Sequence, residues 1–244
     1  MMLTTRIWPM PPTPSTRRPP AFDRSRQAAP QVFEKLQEQI LSLEMAPGTV
    51  LSRTELAAQF GLSQTPIRDA LIKLGEEGLV DIFPQHATVV SRIDVASALQ
   101  AQFLRRSIES EVVRTLAAQP DARLIARLRA QIDVQASLTG SSAYHEFIAA
   151  DRAFHRLMYE AGGVPDLYPL VRKRSGHLDR LRMLNLPTVG KQRAILRDHR
   201  RIVDAIAEGD AQAAQDSLRE HLSGTLSQVE AIRLAHPDYF TAAG

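Results

Sequence analysis

The chain has no cysteine among its 244 residues, which excludes a disulfide framework and agrees with a cytoplasmic location. No apolar run approaches the length of a membrane span. The proline- and arginine-rich start, MMLTTRIWPMPPTPSTRRPPAFDRSRQAAP, lacks the apolar core of a signal peptide. A large charge of one sign is also missing. The formal net charge of +3 is unevenly spread: residues 1–29 hold five Arg and one Asp, residues 30–95 five basic and nine acidic side chains, and residues 96–244 twenty basic and seventeen acidic. The net-acidic segment excludes any reading that depends on a generally basic surface there, so a polyanion would have to be met by individually placed side chains. What is present is 44% hydrophobic content in a chain long enough for more than one core, so two domains are expected.

The stretch GLSQTPIRDALIKLGEEGLV, residues 61–80, starts a helix. Ser63 is a favoured N-cap, and Pro66 falls in the first turn, where its missing amide costs nothing. Ile67, Ala70, Leu71 and Leu74 recur at helical spacing as a buried stripe, which leaves Gln64, Thr65, Arg68 and Lys73 on the remaining surface. Just upstream, LSRTELAAQF has Ser52 and Glu55 in capping-box spacing, an apolar side of Leu56, Ala57 and Phe60, and Gly61 as the stop. Two helices separated by so short a turn read as a helix-turn-helix. A third helix precedes them, with Val32, Leu36, Ile40 and Leu43 on one face and a stop at Pro47-Gly48. After Gly78, LVDIF and ATVVS flank PQH as a short two-stranded hairpin, a wing.

With APGTVL, ELAAQFGLSQTPIRDAL, EEGLV and PQHATVV in order, residues 31–93 resemble the GntR transcription regulators. Two positions depart from that pattern: Gln64 stands where the family usually has Arg, and His86-Ala87 where it usually has Arg-Gly at the wing tip. The operator should differ accordingly. The chemistry fits double-stranded DNA: Gln pairs bidentately with adenine and Arg with guanine in the major groove, while hydroxyls at a helix start reach phosphate. The candidate DNA contacts are Ser63, Gln64, Thr65, Arg68, Arg53 and His86, within a domain spanning residues 30–93. Residues 1–29 show no periodicity and are expected to be a disordered tail. Its Arg17, Arg18, Arg24 and Arg26 are candidate phosphate contacts, a merely solvated extension being the alternative.

From Val95 onward there are only helical patterns. Six helices are expected, at about 94–118, 121–139, 142–162, 165–184, 188–208 and 210–234, as an antiparallel bundle spanning residues 94–236 and followed by a C-terminal tail at 237–244. The fold class is thus mainly α, a winged helix-turn-helix followed by an all-α bundle. Phe147, Asp151, His155 and Met158 share one face of a helix, so Asp151 and His155 look inward. His199 lies on the stripe of Leu196, Ile202, Val203 and Ile206, and His221 joins Leu218, Leu222, Thr225 and Val229. A buried carboxylate needs a counter-charge, and one carboxylate with three imidazoles suits zinc, nickel or manganese. Periodicity alone leaves open that each histidine is simply hydrogen-bonded in a core.

Residues 96–236 resemble the FCD effector domain of FadR-type GntR regulators, which carries an Asp four before a His, a His opening HRRIVDAIAEGDAQAA and a His in LREHL. The resemblance implies that Asp151, His155, His199 and His221 hold a divalent metal, zinc foremost, at the floor of an effector pocket. Six helices would resemble the family's VanR group. It also places Arg105, four before Glu109, in the pocket, with Arg152 and Arg182 as further effector contacts, because a planar guanidinium grips a carboxylate by both oxygens. The expected function is a homodimeric, metabolite-responsive transcription regulator, a repressor of a catabolic operon released by a small organic acid, with no membrane partner and no enzymatic activity. Two other classes compete. A metal-dependent hydrolase lacks a separate general base near the four ligands, and an architectural DNA binder leaves the inward Asp151 without a purpose.

Overall fold

The computed structural model describes residues 23, 25–84, 86–140 and 143–242. The N-terminal domain is built from α1 (Ala28–Leu41), β1 (Val50–Leu51), α2 (Arg53–Phe60), α3 (Gln64–Glu76), β2 (Val80–Phe83) and β3 (Ala87–Val90). Its core is Val32, Leu36 and Ile40 of α1 against Phe60, Ile67, Leu71 and Leu74. The Ser52 side chain caps α2 by accepting from the Glu55 amide at 3.3 Å, and Gly61 ends that helix at φ 65°, a conformation in which a Cβ would be strained. Ser63 holds the N-cap position of α3 but makes no side-chain capping bond. The wing differs from the expected two-stranded hairpin. Val50 and Leu51 pair with Val89 and Thr88, giving a three-stranded antiparallel sheet in the order β1-β3-β2. A two-residue strand carries too little alternation to be seen as a pattern.

The C-terminal domain consists of α4 (Val95–Ala118), α5 (Ala122–Ser137), α6 (Tyr144–Ala161), α7 (Leu167–Arg174), α8 (Gly176–Asn185), α9 (Lys191–Ala207), α10 (Ala211–Ser223) and α11 (Val229–Ala235). Helices α4, α5, α6, α9 and α10 enclose a core centred on Val113, Leu128, Phe154, Met158, Ile202 and Leu218. Two of the six expected helices are divided. The fourth breaks at Ser175, whose hydroxyl donates to the Val171 carbonyl at 2.8 Å and whose neighbour is Gly176, a pairing that bends helices. The sixth stops before Gly224, a poor helix former, and resumes as a single 3-10 turn and α11.

Both termini depart from the expected tails. The Gln31 side chain donates to the carbonyls of Asp23 and Arg26, and Arg26 pairs with Glu34, so the end of the 1–29 segment is folded onto α1, which itself begins at Ala28. Arg17, Arg18 and Arg24 lie outside the described residues. At the other end Phe240 is buried, and the amide of Ile93 donates to the Tyr239 carbonyl at 2.7 Å while Thr241 donates back to Ile93 at 3.1 Å. The expected C-terminal tail at 237–244 is thus paired with Ile93 at the link between the domains. Among the described residues, no helix is long and apolar enough to cross a membrane.

Candidate metal centre and nucleic-acid interface

On the N-terminal domain, Ser63, Gln64, Thr65, Arg68, Arg53 and His86 are all exposed. Arg53, Arg68 and His86 line one groove between α3 and the wing, with Ile72, Phe83 and Thr88. Gln64 donates to Thr54 Oγ1 at 3.3 Å, which ties the two helices together at the presented end of α3. Lys73 sits 4.4 Å over the Phe33 ring and thus faces α1.

In the C-terminal domain the four residues expected to be ligands converge. Asp151 and His155 on α6 are 1% and 2% exposed, His199 on α9 is fully buried, and the ligand atoms of these three and His221 on α10 lie within 4.8 Å of one another. The imidazoles meet through one kind of nitrogen. His155 Nε2 and His199 Nε2 stand 3.2 and 3.3 Å from His221 Nε2, and His199 Nε2 stands 3.5 Å from Asp151 Oδ1. Two of the opposite nitrogens are engaged elsewhere, while His221 Nδ1 stands 3.9 Å from Asp198. His199 Nδ1 donates to Gln135 Oε1 at 2.9 Å, a role fixed because the Gln135 amide nitrogen is turned to the Phe147 carbonyl. His155 Nδ1 faces Glu109 Oε2 at 3.0 Å, within reach though off ideal hydrogen-bond geometry. Phe154 stacks on His199 with centroids 4.1 Å apart and fixes the ring plane.

For His155 and His199, protonation on Nδ1 leaves lone pairs on Nε2, so these two rings aim electron pairs towards His221 Nε2 and the Asp151 carboxylate. A cation there relieves the repulsion, and the donor set of three imidazole nitrogens and one carboxylate oxygen fits zinc, nickel or manganese. Burial, followed by Arg105, lowers the pKa of His155 to about 4, and burial, followed by His221, holds His199 well below its ordinary value, so both are neutral and ligand-competent near pH 7. Asp151 is not left without a counter-charge, however. Burial opposes its ionisation, but Arg182, which ion-pairs with it directly, outweighs this and keeps it a carboxylate. The convergent imidazoles therefore carry the case for a metal more than the cost of burying Asp151 does.

The arginines are more committed than expected. Arg105 donates through Nε to Glu109 Oε1 at 2.7 Å, which with His155 overcomes burial and holds the Glu109 carboxyl at about 2. Arg105 and Arg182 line two small cavities on the flanks of the cluster. Arg152 turns from its neighbour Asp151 to Asp179, 3.2 Å away, and shares that carboxylate with Arg172 at 2.6 Å. Arg180, on the other side of α8, is fully buried and donates to the Ser91 carbonyl and, at 3.1 Å, to the Ser91 hydroxyl. Gln135, Asp179 and Arg172 were not singled out by sequence reasoning. Gln135 continues the buried stripe of Leu124, Leu128 and Ile132, so the inward-polar argument that found Asp151 applies to it equally.

A winged helix-turn-helix joined to a helical bundle around a buried histidine cluster defines a two-domain DNA-binding regulator. Comparison with known proteins agrees. Residues 28–90 match the model of bacterial regulatory proteins of the gntR family, and residues 100–224 match that of the FCD domain. The chain is 37% identical over 209 residues to an HTH-type transcriptional regulator in an unstable DNA locus of Streptomyces ambofaciens, covering 86% of this chain and 88% of that protein. It is 28% identical to the HTH-type transcriptional repressor RspR of Escherichia coli K12, over 86% of this chain and 92% of that one. The structure of E. coli McbR/YncC shares the fold, with a TM-score of 0.72 at 18% identity over 84% of this chain and 98% of that one. The chain belongs to the GntR family, with an FCD domain as its C-terminal half, and is a transcriptional regulator rather than an enzyme.

Proposed function

We propose that this regulator is a metabolite-responsive repressor of a catabolic operon, acting in the cytoplasm as a homodimer on a pseudo-palindromic operator. A small carboxylate releases it by binding at a divalent metal, zinc foremost, held by Asp151, His155, His199 and His221. The observation that carries this reading is the convergence of three buried imidazole Nε2 atoms at 3.2–3.3 Å, two of their rings oriented through Nδ1 by Glu109 and Gln135. The naming of RspR of E. coli and NanR of Cronobacter sakazakii as transcriptional repressors supports the sign of the regulation. Six long helices, counting α7 and α8 as one bent at Ser175, support the VanR group.

The metal, when bound, supplies a Lewis-acidic position for the effector carboxylate. The residues of the chain do the rest. Arg105, braced by Glu109, offers its remaining guanidinium nitrogens to the ligand. Arg182 links the cluster to α8 through Asp151 and, at 3.6 Å, Asp179. The opposite side of α8 carries Gly176 against Leu79 of the N-terminal domain, and Arg180 on Ser91. A change in how Arg182 is shared between Asp151 and an incoming anion thus acts on the helix that seats the winged domain, and operator affinity changes by the ligand's differential affinity for the two arrangements. Ser63, Gln64, Thr65, Arg68, Arg53 and His86 make the operator contacts in this reading. The test is an operator-binding titration of purified protein, zinc-loaded and chelator-treated, with and without a panel of small acids. Release by an acid only in the metal-loaded protein is expected, and release unaffected by chelator refutes the metal's part.

A further inference from the structure

The arginines beside the histidine cluster are mismatched in number to their carboxylates. One small cavity is lined by Arg105, Arg152, Arg172 and Arg182, with Glu109 and Asp151 as its acidic residues. These guanidiniums come from four helices, α4, α6, α7 and α8. Glu109 serves Arg105 and Asp151 serves Arg182, which leaves Asp179 to be divided among Arg172 at 2.6 Å, Arg152 at 3.2 Å and, more distantly, Arg182 at 3.6 Å. Four guanidiniums against three carboxylates leave this group one positive charge in excess, and a divalent cation on Asp151 would raise the excess to three. An unpaired charge is costly where it is buried, so the excess favours an anion at this place. Here, moreover, a donor is left over: Arg152 Nε is buried with no acceptor.

We propose that the effector is a small dianion whose second anionic group is held by Arg152 and Arg172 around Asp179, the first being the carboxylate bound beside Arg105. The proposal rests on the effector reading above and specifies the ligand's class: two anionic groups on a short skeleton, as in a dicarboxylate or a phosphorylated acid. Asp179 sets the spacing of the two guanidiniums, so they present paired donors without the ordering cost of free side chains. The bent junction at Ser175 is what brings Arg172 of α7 and Asp179 of α8 to one point, 2.6 Å apart.

The test uses the full-length, zinc-loaded protein and isothermal titration with matched acids: succinate against butyrate, L-malate against 2-hydroxybutyrate, and phosphoglycolate against glycolate. In at least one pair the dianion should bind about tenfold or more tightly than its partner, the effect of one added charge-assisted contact. Which pair shows it tells carboxylate from phosphate. Arg172→Met should cut that preference to about threefold or less, with zinc content and monoanion affinity unchanged, because Arg172 touches no expected metal ligand. Arg152→Met, at a side chain 32% exposed, is the second variant should the first not fold. Monoanions binding as well as dianions in every pair overturns the second subsite alone. No acid binding at all overturns it together with the effector reading, and a dianion preference that survives both substitutions overturns the assignment to these arginines.

Discussion

Gln135→Leu isolates the part of the candidate metal centre that no ligand residue carries. Gln135 is fully buried, and its Oε1 accepts from His199 Nδ1 at 2.9 Å. Leucine is apolar and about one methylene larger, so the helix stripe is continued while His199 loses the partner that fixes its tautomer and ring orientation. Removing such a partner typically costs 10- to 100-fold in metal affinity, about 1.4 to 2.7 kcal/mol. Metal at 100 times its dissociation constant stabilises the wild type by about 2.7 kcal/mol, or roughly 5–10 °C in melting temperature for a chain of this size. At the same free zinc, the variant should gain about 1.4 kcal/mol at most and, at the upper end of the affinity loss, only about 0.4 kcal/mol. The assay is a thermal melt of chelator-treated protein at a series of buffered free zinc concentrations. Its relevant quantity is the metal-dependent gain, because the metal-free variant also starts lower by about 1 to 3 kcal/mol for the unpaired buried nitrogen. Identical gains in the two proteins across the zinc series would refute the inference that His199 presents Nε2 to a metal.

Three further outcomes follow from other parts of the molecule. Arg68→Ala should weaken operator binding by about 1 to 3 kcal/mol and relax discrimination at one base pair, leaving zinc binding unchanged; a footprinting titration with unaltered affinity removes Arg68 from the interface. Gly176→Ala should destabilise the protein by about 1 to 3 kcal/mol in urea, although alanine favours helix by about 1 kcal/mol, because the added Cβ falls 2.6 Å from Leu79 Cδ2; a stabilised variant contradicts the close seating of α8 on the winged domain. His177 accepts from the Asp94 amide and from Arg180, both at 3.0 Å, and burial followed by Arg180 lowers its pKa to about 4. The unfolded chain, titrating near 6.5, then binds more protons between these values, so stability is complete above about pH 6.5 and falls by up to roughly 3 kcal/mol as pH drops towards 4. Urea unfolding of wild type and His177→Asn at pH 7 and pH 5 should show the smaller loss in the variant, and equal losses reject the assignment.

Much of this protein is written locally in its sequence. The cap at Ser52, the stop at Gly61, the stripe of Ile67, Ala70, Leu71 and Leu74, and the inward placement of Asp151, His155, His199 and His221 all follow from short-range rules, since a helix of 3.6 residues per turn assigns each side chain a face. The family motifs are equally local, and the winged helix and FCD matches agree with them. Tertiary structure alone decided what each face meets. That Arg182 pairs with Asp151, that Gln135 holds His199 from 64 residues away, and that Arg180 reaches Ser91 across 89 residues depend on how helices pack. The same holds for β1, too short to show alternation, for the bend at Ser175, and for Phe240, whose burial against the interdomain link turns an expected tail into a clamp. Periodicity names the face a side chain occupies. The distance to its partner is set by packing, and in this site ångström distances separate an ion pair from a ligand position.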